Sequence, residues 1–507
     1  MEQKKFYITT TLPYVNAAPH IGFALELAQA DVIARHQASR NKEIFFNTGT
    51  DEHGIKIYRK AEEEGKKPQE FVDEYAEKFR ALVEAMNVSY TNFIRTTDAE
   101  HKKAAAEFWK RCAANVNEKG ESDIYKATYR TKYCVGCELE KSDSELENGR
   151  CPTHLTLAIE EREEENYFFR FSRYEKPLVE LYNAYPDFVV PDFRLTEIQS
   201  FVKAGLRDFS ISRLKEKMPW GVPVPGDSQH VMYVWFDALI NYISTLGWPA
   251  SAEAPAGKPA PFYEWWGTRE QPNAFQIAGK DNLRQQSAMW QAMLMSAGLP
   301  NSRKIFIHGF ITSGGEKMSK TLGNVIDPME VIRRYGTDPV RYYLLREIPT
   351  GEDGDWSEAK FKERYNADLA NGLGNFVARV LALAAKEKKL ERAHDVPKEF
   401  FARIQEVRKE VAGKIDSFRL HEALAALWEL ITFGDEYTNK KEPWKIKDEK
   451  IRGEVVFTLL SLMSEVGEML VPFLPATAEK ILASVEWKSG TDTVKINRGA
   501  VLFPRLE

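Results

Sequence analysis

A cluster of cysteines in the first third of the chain has the spacing of a metal site. Three of the four cysteines in the 507-residue sequence, Cys134, Cys137 and Cys151, fall within eighteen residues, and His154 comes shortly after the third. The order Cys-x2-Cys, thirteen residues, Cys-x2-His is typical of a small tetrahedral zinc knuckle. So few cysteines argue for metal rather than disulfides. We therefore expect one zinc ion per chain at these four residues.

A histidine and a glycine stand where a strand pattern gives way to a helix pattern, in the segment YVNAAPHIGFALE. A helix N-terminus offers unpaired N–H groups and positive partial charge, and Gly22 leaves space for a flat ring or a phosphate. His20 can donate a hydrogen bond to a phosphate oxygen. Taken alone, this pattern is more often a plain structural turn.

A second segment, GGEKMSKTLGN at residues 314–324, combines two glycines with Lys317 and Lys320. Such a loop suits closure over a polyphosphate, where two cations stabilise the charge that develops as pyrophosphate departs. The alternative is an ordinary solvated lysine loop. The two segments together favour a nucleotide site.

The elements that must position these residues begin with a βαβ unit. KKFYITTT is aromatic and β-branched, HIGFALELAQADVIARHQASR has apolar residues at helical spacing, and EIFFNTGTDEHG reads as a second strand. Such units build parallel sheets with ligands at the carboxyl ends of the strands, where His20 and Asp51 would lie.

The pattern along the chain predicts an α/β fold interrupted by an insertion and followed by helices. The segments HVMYVWFDALINYI, NAFQIAGKDNL and RKIFIHGFI each lead from a strand into a loop or helix, and helical periodicity dominates after Trp356. We predict the α/β domain's first half over 1–115, a knuckle-bearing insertion over 116–222, the second half over 223–310, a lysine-loop region over 311–360, and a helical domain over 361–507.

Composition excludes several classes of protein. Hydrophobic content of 43% and charged content of 29% are globular values, and no apolar run approaches the roughly 20 residues of a membrane span. The N-terminal segment lacks the continuous apolar stretch of a secretory signal, so we expect a cytoplasmic protein. A net charge of -5 gives no global sign of nucleic-acid binding, so any RNA contact must use local patches.

PHIGF and GEKMSK together resemble the two signatures of class I aminoacyl-tRNA synthetases, usually written HIGH and KMSKS, in the expected order. Further segments narrow the resemblance to the methionyl-tRNA synthetase family over essentially the whole chain: TLPYVNAAPHIG, GTDEHG, YVWFDALINY, IAGKDNLRQQSAMW, FIHGFITSGGEKMSK and EPW. The resemblance implies a Rossmann-type catalytic domain with a structural zinc knuckle, followed by an α-helical anticodon-binding domain.

The resemblance implies the family's activity for this chain. A member of the family activates methionine with ATP and Mg2+ to methionyl-adenylate. It then transfers the methionyl group to the 3′ end of tRNA(Met), initiator or elongator, and releases AMP and pyrophosphate. The resemblance gives His20, Lys317 and Lys320 the catalytic handling of ATP, and it also places Gly22, Asp281 and His308 in the ATP site.

The resemblance also implies an amino-acid pocket and an RNA surface. Asp51 would hold the ammonium group of methionine, within a pocket formed by Leu12, Tyr14, Trp235, Ala238, Tyr242, Gln286 and Trp290. An aromatic box suits a polarizable thioether, although isolated tryptophans are more often core residues. Anticodon reading would fall to Asn375, Arg379, Pro443 and Trp444, because a small polar and aromatic set can stack and read splayed bases. For Trp444 the alternative is ordinary packing.

The sequence departs from the family's pattern at three positions. Phe23 stands in place of the second signature histidine, so a donor near the phosphates is missing, and Lys56 or Arg284 is a candidate to compensate. Gln286 stands where the family often has a histidine, and Leu239 replaces a common proline. Both changes alter pocket shape without changing the class of substrate.

Two alternative functions remain at this point. A synthetase for leucine, isoleucine or valine would carry a large editing domain, for which residues 116–222 leave no room, and a cysteine enzyme would place zinc in the substrate pocket. A non-catalytic relative that binds tRNA or nucleotide is the other alternative, which Phe23 alone invites. We expect a monomer, because the chain ends at VLFPRLE without a further dimer-forming domain.

Overall fold

The structure is a computed structural model that describes residues 4–137, 139–141, 145–250, 261–318, 323–387, 390, 397–487, 494–497 and 501–507. Its first part alternates strands and helices: β1 (Lys5–Thr9), α1 (Ile21–Ser39), β2 (Glu43–Thr50), α2 (Ile55–Glu63), α3 (Pro68–Ala85), β3 (Asn92–Arg95) and α4 (Ala99–Ala114). The aromatic and β-branched residues of β1 are almost all buried, as a strand covered on both faces requires.

The second part is dominated by two long antiparallel strands. It contains β4 (Ile124–Cys134), β5 (Leu139–Lys141), β6 (Ile159–Phe169), α5 (Glu175–Ala184), β7 (Val189–Val190), α6 (Asp192–Lys203), β8 (Phe209–Ser210), β9 (Ser212–Leu214), β10 (Pro223–Val224) and β11 (Asp227–Met232). The acidic segment IEEREEENYFF forms β6, which pairs along its whole length with β4. Lys126 of β4 lies 3.0 Å from Glu165 of β6, so cross-strand charge pairing supports this arm.

The chain then returns to the first layer. The third part contains α7 (Val234–Leu239), α8 (Asn241–Ser244), α9 (Pro261–Trp266), β12 (Ala274–Gly279), α10 (Trp290–Ser296) and β13 (Lys304–His308). A π-helical turn, Gln285–Met289, precedes α10. Such turns often occur at functional sites because they redirect side chains.

One six-stranded sheet joins the first three parts, in the order β3-β2-β1-β12-β13-β7, and every neighbouring pair is parallel. The strand order reverses between β1 and β12, which places a crevice at their carboxyl ends. The α/β class predicted from the sequence is confirmed. Val189–Val190 is the sixth strand, so residues predicted as insertion also complete the main sheet.

The last part contains a small hairpin region and then helices. Its elements are β14 (Ile311–Ser313), β15 (Glu316–Lys317), α11 (Pro328–Tyr335), α12 (Thr337–Arg346), β16 (Gly354–Trp356), α13 (Glu358–Arg364), α14 (Asn375–Ala384), α15 (Lys398–Asp416), α16 (Leu420–Lys441), α17 (Glu449–Leu470), α18 (Pro475–Ala483), β17 (Val485–Trp487) and β18 (Val494–Ile496). The predicted helical texture after Trp356 is therefore confirmed, with a π-helical stretch, Tyr365–Gly374, between α13 and α14.

Helix α1 connects the six-stranded sheet to the helical region. The guanidinium of Arg341 on α12 is fully buried, pairs with Asp31 of α1 at 2.8 Å, and donates to the carbonyls of Phe473 and Pro472. At the C-terminal end of α1, Arg40 pairs with Asp416 of α15 at 2.7 Å. These contacts hold the two regions as one packed unit. Within the described residues, no helix is both long enough and apolar enough to cross a bilayer.

Candidate functional site

Three predicted ATP-site residues meet at the crevice between β1 and β12. His20 caps the start of α1 after β1, Asp281 follows β12, and His308 ends β13. Gly279 and His308 are register partners on β12 and β13, and a Cβ added to Gly279 would lie 2.8 Å from a carboxylate oxygen of Asp281. The topology of the sheet, rather than proximity in the chain, brings these residues together.

His20 caps the N-terminus of α1 with its own side chain. Its Nδ1 accepts a hydrogen bond from the Gly22 N–H at 3.1 Å, and a Cβ at position 22 would approach the imidazole Cε1 to 2.9 Å. The surrounding protein lowers the pKa of His20, while the nearby Asp281 carboxylate partly opposes this effect. The ring is therefore neutral at pH 7, and because Nδ1 accepts, Nε2 carries the proton and is the donor.

The structure also links the two sequence signatures. The N–H of Ile21, the first residue of α1, donates to the carbonyl of Ile326, shortly after the lysine loop, at 3.1 Å. Gly314 and Gly315 form the turn between β14 and β15 at positive φ. Asp355 accepts hydrogen bonds from the Gly315 N–H and the Thr312 hydroxyl, both at 2.8 Å, and so anchors the base of this hairpin. Lys317 lies on β15, whereas Lys320 falls outside the described residues.

A buried carboxylate that the sequence reasoning missed supports this crevice. Glu26 of α1 accepts hydrogen bonds from the Thr11 N–H and hydroxyl, both at 2.6 Å, and from His308 Nε2 at 2.9 Å. His308 Nδ1 bonds to the Gly309 carbonyl at 2.7 Å. Both partners of His308 are acceptors, so its ring carries two protons. The available signal was a charged residue inside the apolar face of α1.

The electrostatics of His308 agree with this assignment. Burial by itself lowers the pKa of His308, but the hydrogen bond and charge of Glu26, the Gly309 carbonyl and Asp281 raise that pKa above its ordinary value overall. Because both ring nitrogens are engaged within the protein, His308 contributes charge and shape to the crevice.

The predicted amino-acid pocket has a buried aromatic and amide wall. The rings of Tyr242 and Trp290 lie 5.9 Å apart, and Gln286, on the π-helical turn, donates to the Tyr242 hydroxyl at 2.5 Å. Burial raises the pKa of Tyr242, so its phenol stays protonated. Trp235 and Ala238 lie one turn apart on α7, and Leu239 is buried behind them. The indole nitrogens of Trp235 and Trp290 are buried without a hydrogen-bond acceptor among the described residues.

The opposite wall comes from the segment after β1. Tyr14 forms a β-bridge with Asp51, and the Val15 N–H donates to the Asp51 carbonyl at 3.1 Å, so the Leu12 to Tyr14 segment runs beside the end of β2. Asp51 is 8% exposed. Beside Gly54 opens a cavity of about 360 Å3, lined among others by Arg59, Tyr133, Glu160, Arg213, Lys217 and Tyr233.

Phe23 and the two candidate substitutes for the missing histidine each have contacts elsewhere in the chain. Phe23 is buried and packs edge-to-face on Phe79 of α3, with ring centroids 5.6 Å apart. The two candidate substitutes contact the insertion instead: Lys56 donates to the Gly136 carbonyl at 2.8 Å, and Arg284 lies 3.5 Å from Glu145. Position 23 is thus part of the hydrophobic core, and the two cations hold the knuckle against the catalytic region.

The four predicted zinc ligands form one compact cluster at the tip of the β4–β6 arm. The Sγ atoms of Cys134, Cys137 and Cys151 and Nδ1 of His154 all lie within 4.8 Å of one another. Cys137 Sγ lies 3.4 Å from Cys151 Sγ and 3.2 Å from His154 Nδ1. Tetrahedral zinc requires separations of about 3.5 to 3.8 Å between such ligands. The donor set fits, and the cluster could hold a metal ion.

The remaining predicted residues form an exposed patch on the helical region. The guanidinium of Arg379 on α14 lies 5.2 Å from the ring of Trp444, which is 49% exposed. Asn375 lies one turn before Arg379 on the same helix. Pro443 is buried and begins the short turn that presents Trp444. Arg379 also donates to Asn439 of α16 at 2.6 Å, a residue that the sequence reasoning did not single out.

Comparison with known sequence families decides the family of the chain. The family model described as tRNA synthetases class I (M) matches residues 6–159 and 156–381, and the anticodon-binding domain of tRNA ligase matches residues 397–497. The chain belongs to the methionine type of the class I tRNA synthetases. Its function is therefore that of a methionine--tRNA ligase, which excludes the editing synthetases and the cysteine enzyme considered from the sequence.

Individual relatives of this family cover almost the whole chain. The Methionine--tRNA ligase of Thermotoga maritima is 41% identical over 99% of this chain and 78% of its own length, and that of Brucella suis is 40% identical over 95% and 92%. The Mycobacterium tuberculosis methionyl-tRNA synthetase in complex with methionyl-adenylate superposes with a TM-score of 0.90 at 35% identity, over 99% of this chain and 100% of that one. Its free form gives a TM-score of 0.83 at 32% identity, over 100% and 99%.

Proposed function

We propose that the crevice between β1 and β12 is where this chain joins methionine to AMP and then to tRNA(Met). A carboxylate oxygen of methionine attacks the α-phosphorus of ATP, the bond to the β-phosphate breaks, and pyrophosphate leaves. A hydroxyl of the terminal tRNA ribose then attacks the carbonyl carbon of methionyl-adenylate, and AMP leaves. No side chain needs to act as a covalent nucleophile, because positioning and charge stabilisation suffice.

The observation that carries this proposal is the Ile21 to Ile326 hydrogen bond, which ties the start of α1 to the lysine-loop segment. Because His20 caps the start of α1, the His20 Nε2 donor and Gly22 lie at the helix end that this bond ties to the segment whose sequence carries Lys317 and Lys320. These groups would bind the phosphates, with Mg2+ entering together with ATP. Asp281 and His308 would complete the nucleotide side of the crevice.

The aromatic wall supports methionine as the amino acid. A thioether is polarizable and makes favourable contacts of about 0.3 to 1.5 kcal/mol with aromatic rings. Trp235, Tyr242 and Trp290 supply those rings, Ala238 leaves room, and Gln286 fixes the Tyr242 hydroxyl. Asp51, at the end of β2 beside Leu12 and Tyr14, would bind the ammonium group.

Two surfaces would receive tRNA, both initiator and elongator. The Arg379 and Trp444 patch, with Asn375 and Pro443, offers a ring and a cation for anticodon bases. The cavity beside Gly54 combines three cations and one carboxylate with two aromatic rings, namely Arg59, Arg213, Lys217, Glu160, Tyr133 and Tyr233. The excess of positive charge and the rings suit the phosphates and bases of the acceptor end.

The knuckle would hold zinc as a structural ion. When bound, zinc supplies cross-links among four side chains on an arm with little core of its own. Gly136 is required beside it, since a Cβ there would lie 2.4 Å from the His154 ring. We expect the chain to act as a monomer.

The test is amino-acid-dependent exchange of pyrophosphate into ATP, run on methionine, leucine, isoleucine, valine and cysteine. Methionine should support exchange far better than the other four. Replacing His20 with alanine should reduce exchange strongly while leaving the zinc content and the thermal midpoint of unfolding near wild type. Exchange that does not depend on methionine would overturn the proposal.

A further inference from the structure

A chain of three fully buried side chains lies beneath the amino-acid pocket. The Asp237 carboxylate bonds through one oxygen to His53 Nδ1 at 2.6 Å and through the other to His101 Nε2 at 2.8 Å. His101 Nδ1 continues to the Ser244 hydroxyl at 2.9 Å. Asp237 is 0% exposed and both histidines are 1% exposed. We expect the geometry of so deeply buried a network to be closely defined, because the loss of one partner leaves the other buried without a hydrogen bond.

The network joins the segments that carry the proposed methionine contacts. His53 comes two residues after Asp51, the proposed ammonium ligand. Asp237 lies on α7, the helix that bears Trp235 and Ala238. Ser244 lies on α8, two residues after Tyr242. His101 comes from α4, which is otherwise part of the scaffold. One carboxylate therefore ties the ammonium side of the pocket to its thioether side.

The His53 end of the network is held from a second direction. The ring of Trp220 packs against His53 with centroids 5.6 Å apart, and its indole N–H donates to the Glu52 carbonyl at 2.6 Å. The Gly54 N–H donates in turn to the Trp220 carbonyl at 3.1 Å. Glu52 is itself fully buried and is paired with Arg95 through both carboxylate oxygens. The loop after β2 is therefore rigid, and the Asp237 contact carries that rigidity to α7.

The charge state of Asp237 suits this role. Burial alone raises its pKa, but the hydrogen bonds and charge of His53 and His101 lower the pKa below its ordinary value overall, so the carboxylate is ionised. An ionised carboxylate accepts a hydrogen bond from each imidazole, whereas a protonated carboxyl group would have to donate one of the two hydrogen bonds. Hydrogen bonds to charged groups are also the stronger kind.

We propose that Asp237 is a positioning residue that sets the distance between Asp51 and the aromatic wall, and thereby the length of the amino-acid side chain that the pocket accepts. This inference rests on the proposed function of the pocket. Selecting methionine over shorter side chains relies on fit, where one methylene changes kcat/KM by roughly 10- to 200-fold. A wall free to shift relative to the ammonium anchor would lose much of that difference.

The experiment compares Asp237→Asn, His101→Gln and His101→Leu with wild type in pyrophosphate exchange. The readouts are KM for methionine, KM for ATP, and the ratio of kcat/KM for methionine to that for leucine. Asp237→Asn should raise KM for methionine about tenfold and lower the selectivity ratio about tenfold, since it weakens two charged hydrogen bonds. KM for ATP should stay within about twofold of wild type, because the network does not touch the His20 side of the crevice.

The two variants at His101 distinguish a positioning role from a role in stability alone. A glutamine at position 101 can keep an N–H donor toward Asp237, so His101→Gln should recover much of the selectivity that His101→Leu loses. Asp338→Asn is the matched control: Asp338 is also a buried carboxylate on a helix, but it accepts from the Thr477 N–H in the helical region. It should change the thermal midpoint of unfolding without changing the selectivity ratio.

Two outcomes would overturn the inference. One is an Asp237→Asn enzyme whose selectivity ratio and methionine KM match wild type. The other is a set of variants in which only kcat falls. In that case kcat/KM would fall equally for methionine and leucine, and His101→Gln and His101→Leu would lose the same activity. If Asp237→Asn does not fold, Ser244→Ala and the two His101 variants decide the matter at the far end of the network. Failure of the proposed function is separate, because wild type would then show no methionine-dependent exchange.

Discussion

The Glu26 to His308 pair leads to a prediction about stability and pH. Glu26→Gln keeps the size of the side chain but removes a charge that accepts three hydrogen bonds, at 2.6, 2.6 and 2.9 Å. A hydrogen bond to a charged group contributes about 1.5 to 3 kcal/mol, against about 0.5 to 1.5 kcal/mol for a neutral pair, so each bond loses roughly 1 kcal/mol. The substitution should therefore cost roughly 3 kcal/mol of unfolding free energy at pH 6.

The pH dependence of this cost follows from the raised pKa of His308. A raised pKa in the folded state means that the stabilisation is complete below the ordinary value of 6.5 and is lost as pH rises through the raised value. Once the pH exceeds that raised value, wild type has lost the His308 contribution as well, so only the two Thr11 bonds distinguish it from Glu26→Gln. The cost should then fall to roughly 2 kcal/mol.

The assay is urea unfolding followed by tryptophan fluorescence at pH 6 and pH 9, with midpoints compared at a common slope. The matched control is Glu52→Gln, which removes a buried carboxylate paired with Arg95 at 2.6 Å. Because arginine stays protonated throughout this range, the cost of Glu52→Gln should be the same at both pH values. A Glu26→Gln cost that is constant, or that grows toward pH 9, would refute an ion pair between Glu26 and a doubly protonated His308.

Three further predictions concern the other parts of the chain. Trp444→Ala should lower kcat/KM for tRNA charging about 10- to 100-fold and leave pyrophosphate exchange unchanged, since base stacking on an aromatic ring is worth about 1 to 3 kcal/mol. The control Ile451→Ala, at a similarly exposed apolar residue, should change neither activity. If Trp444→Ala charged tRNA as well as wild type, the anticodon role would be removed. Cys137→Ser should bring the zinc content measured by mass spectrometry well below one per chain and lower the thermal midpoint of unfolding. The control Cys112→Ala should keep the zinc, because Cys112 is buried beside the Met293 carbonyl, away from the cluster. Phe23→His should cost about 1 to 3 kcal/mol of stability by burying a polar ring against Phe79, without raising the exchange rate; a faster enzyme would show that position 23 reaches the phosphates after all.

Much of the candidate site was predictable because its signals are local. The βαβ unit from β1 to β2, the cysteine spacing and the helical periodicity after Trp356 each depend on residues near one another in the chain, where strand and helix periods are directly visible. The resemblance then located distant pocket residues such as Tyr242 and Trp290, which the structure places in ring contact. The roles of the individual site residues and the domain boundaries stay predictions.

The sequence by itself determined the class of fold, the family, and the chemical groups available for ATP, a thioether and a metal ion. Only the tertiary structure decided how those groups are supported. Glu26 and His308 are 282 residues apart, and His53 and Asp237 are 184 apart. Nothing in either local segment indicates its partner, because such contacts arise only when the register of the parallel sheet and the packing of its helices bring the segments together. For the same reason the core position of Phe23 and the sixth strand at Val189–Val190 emerged from packing, not from pattern.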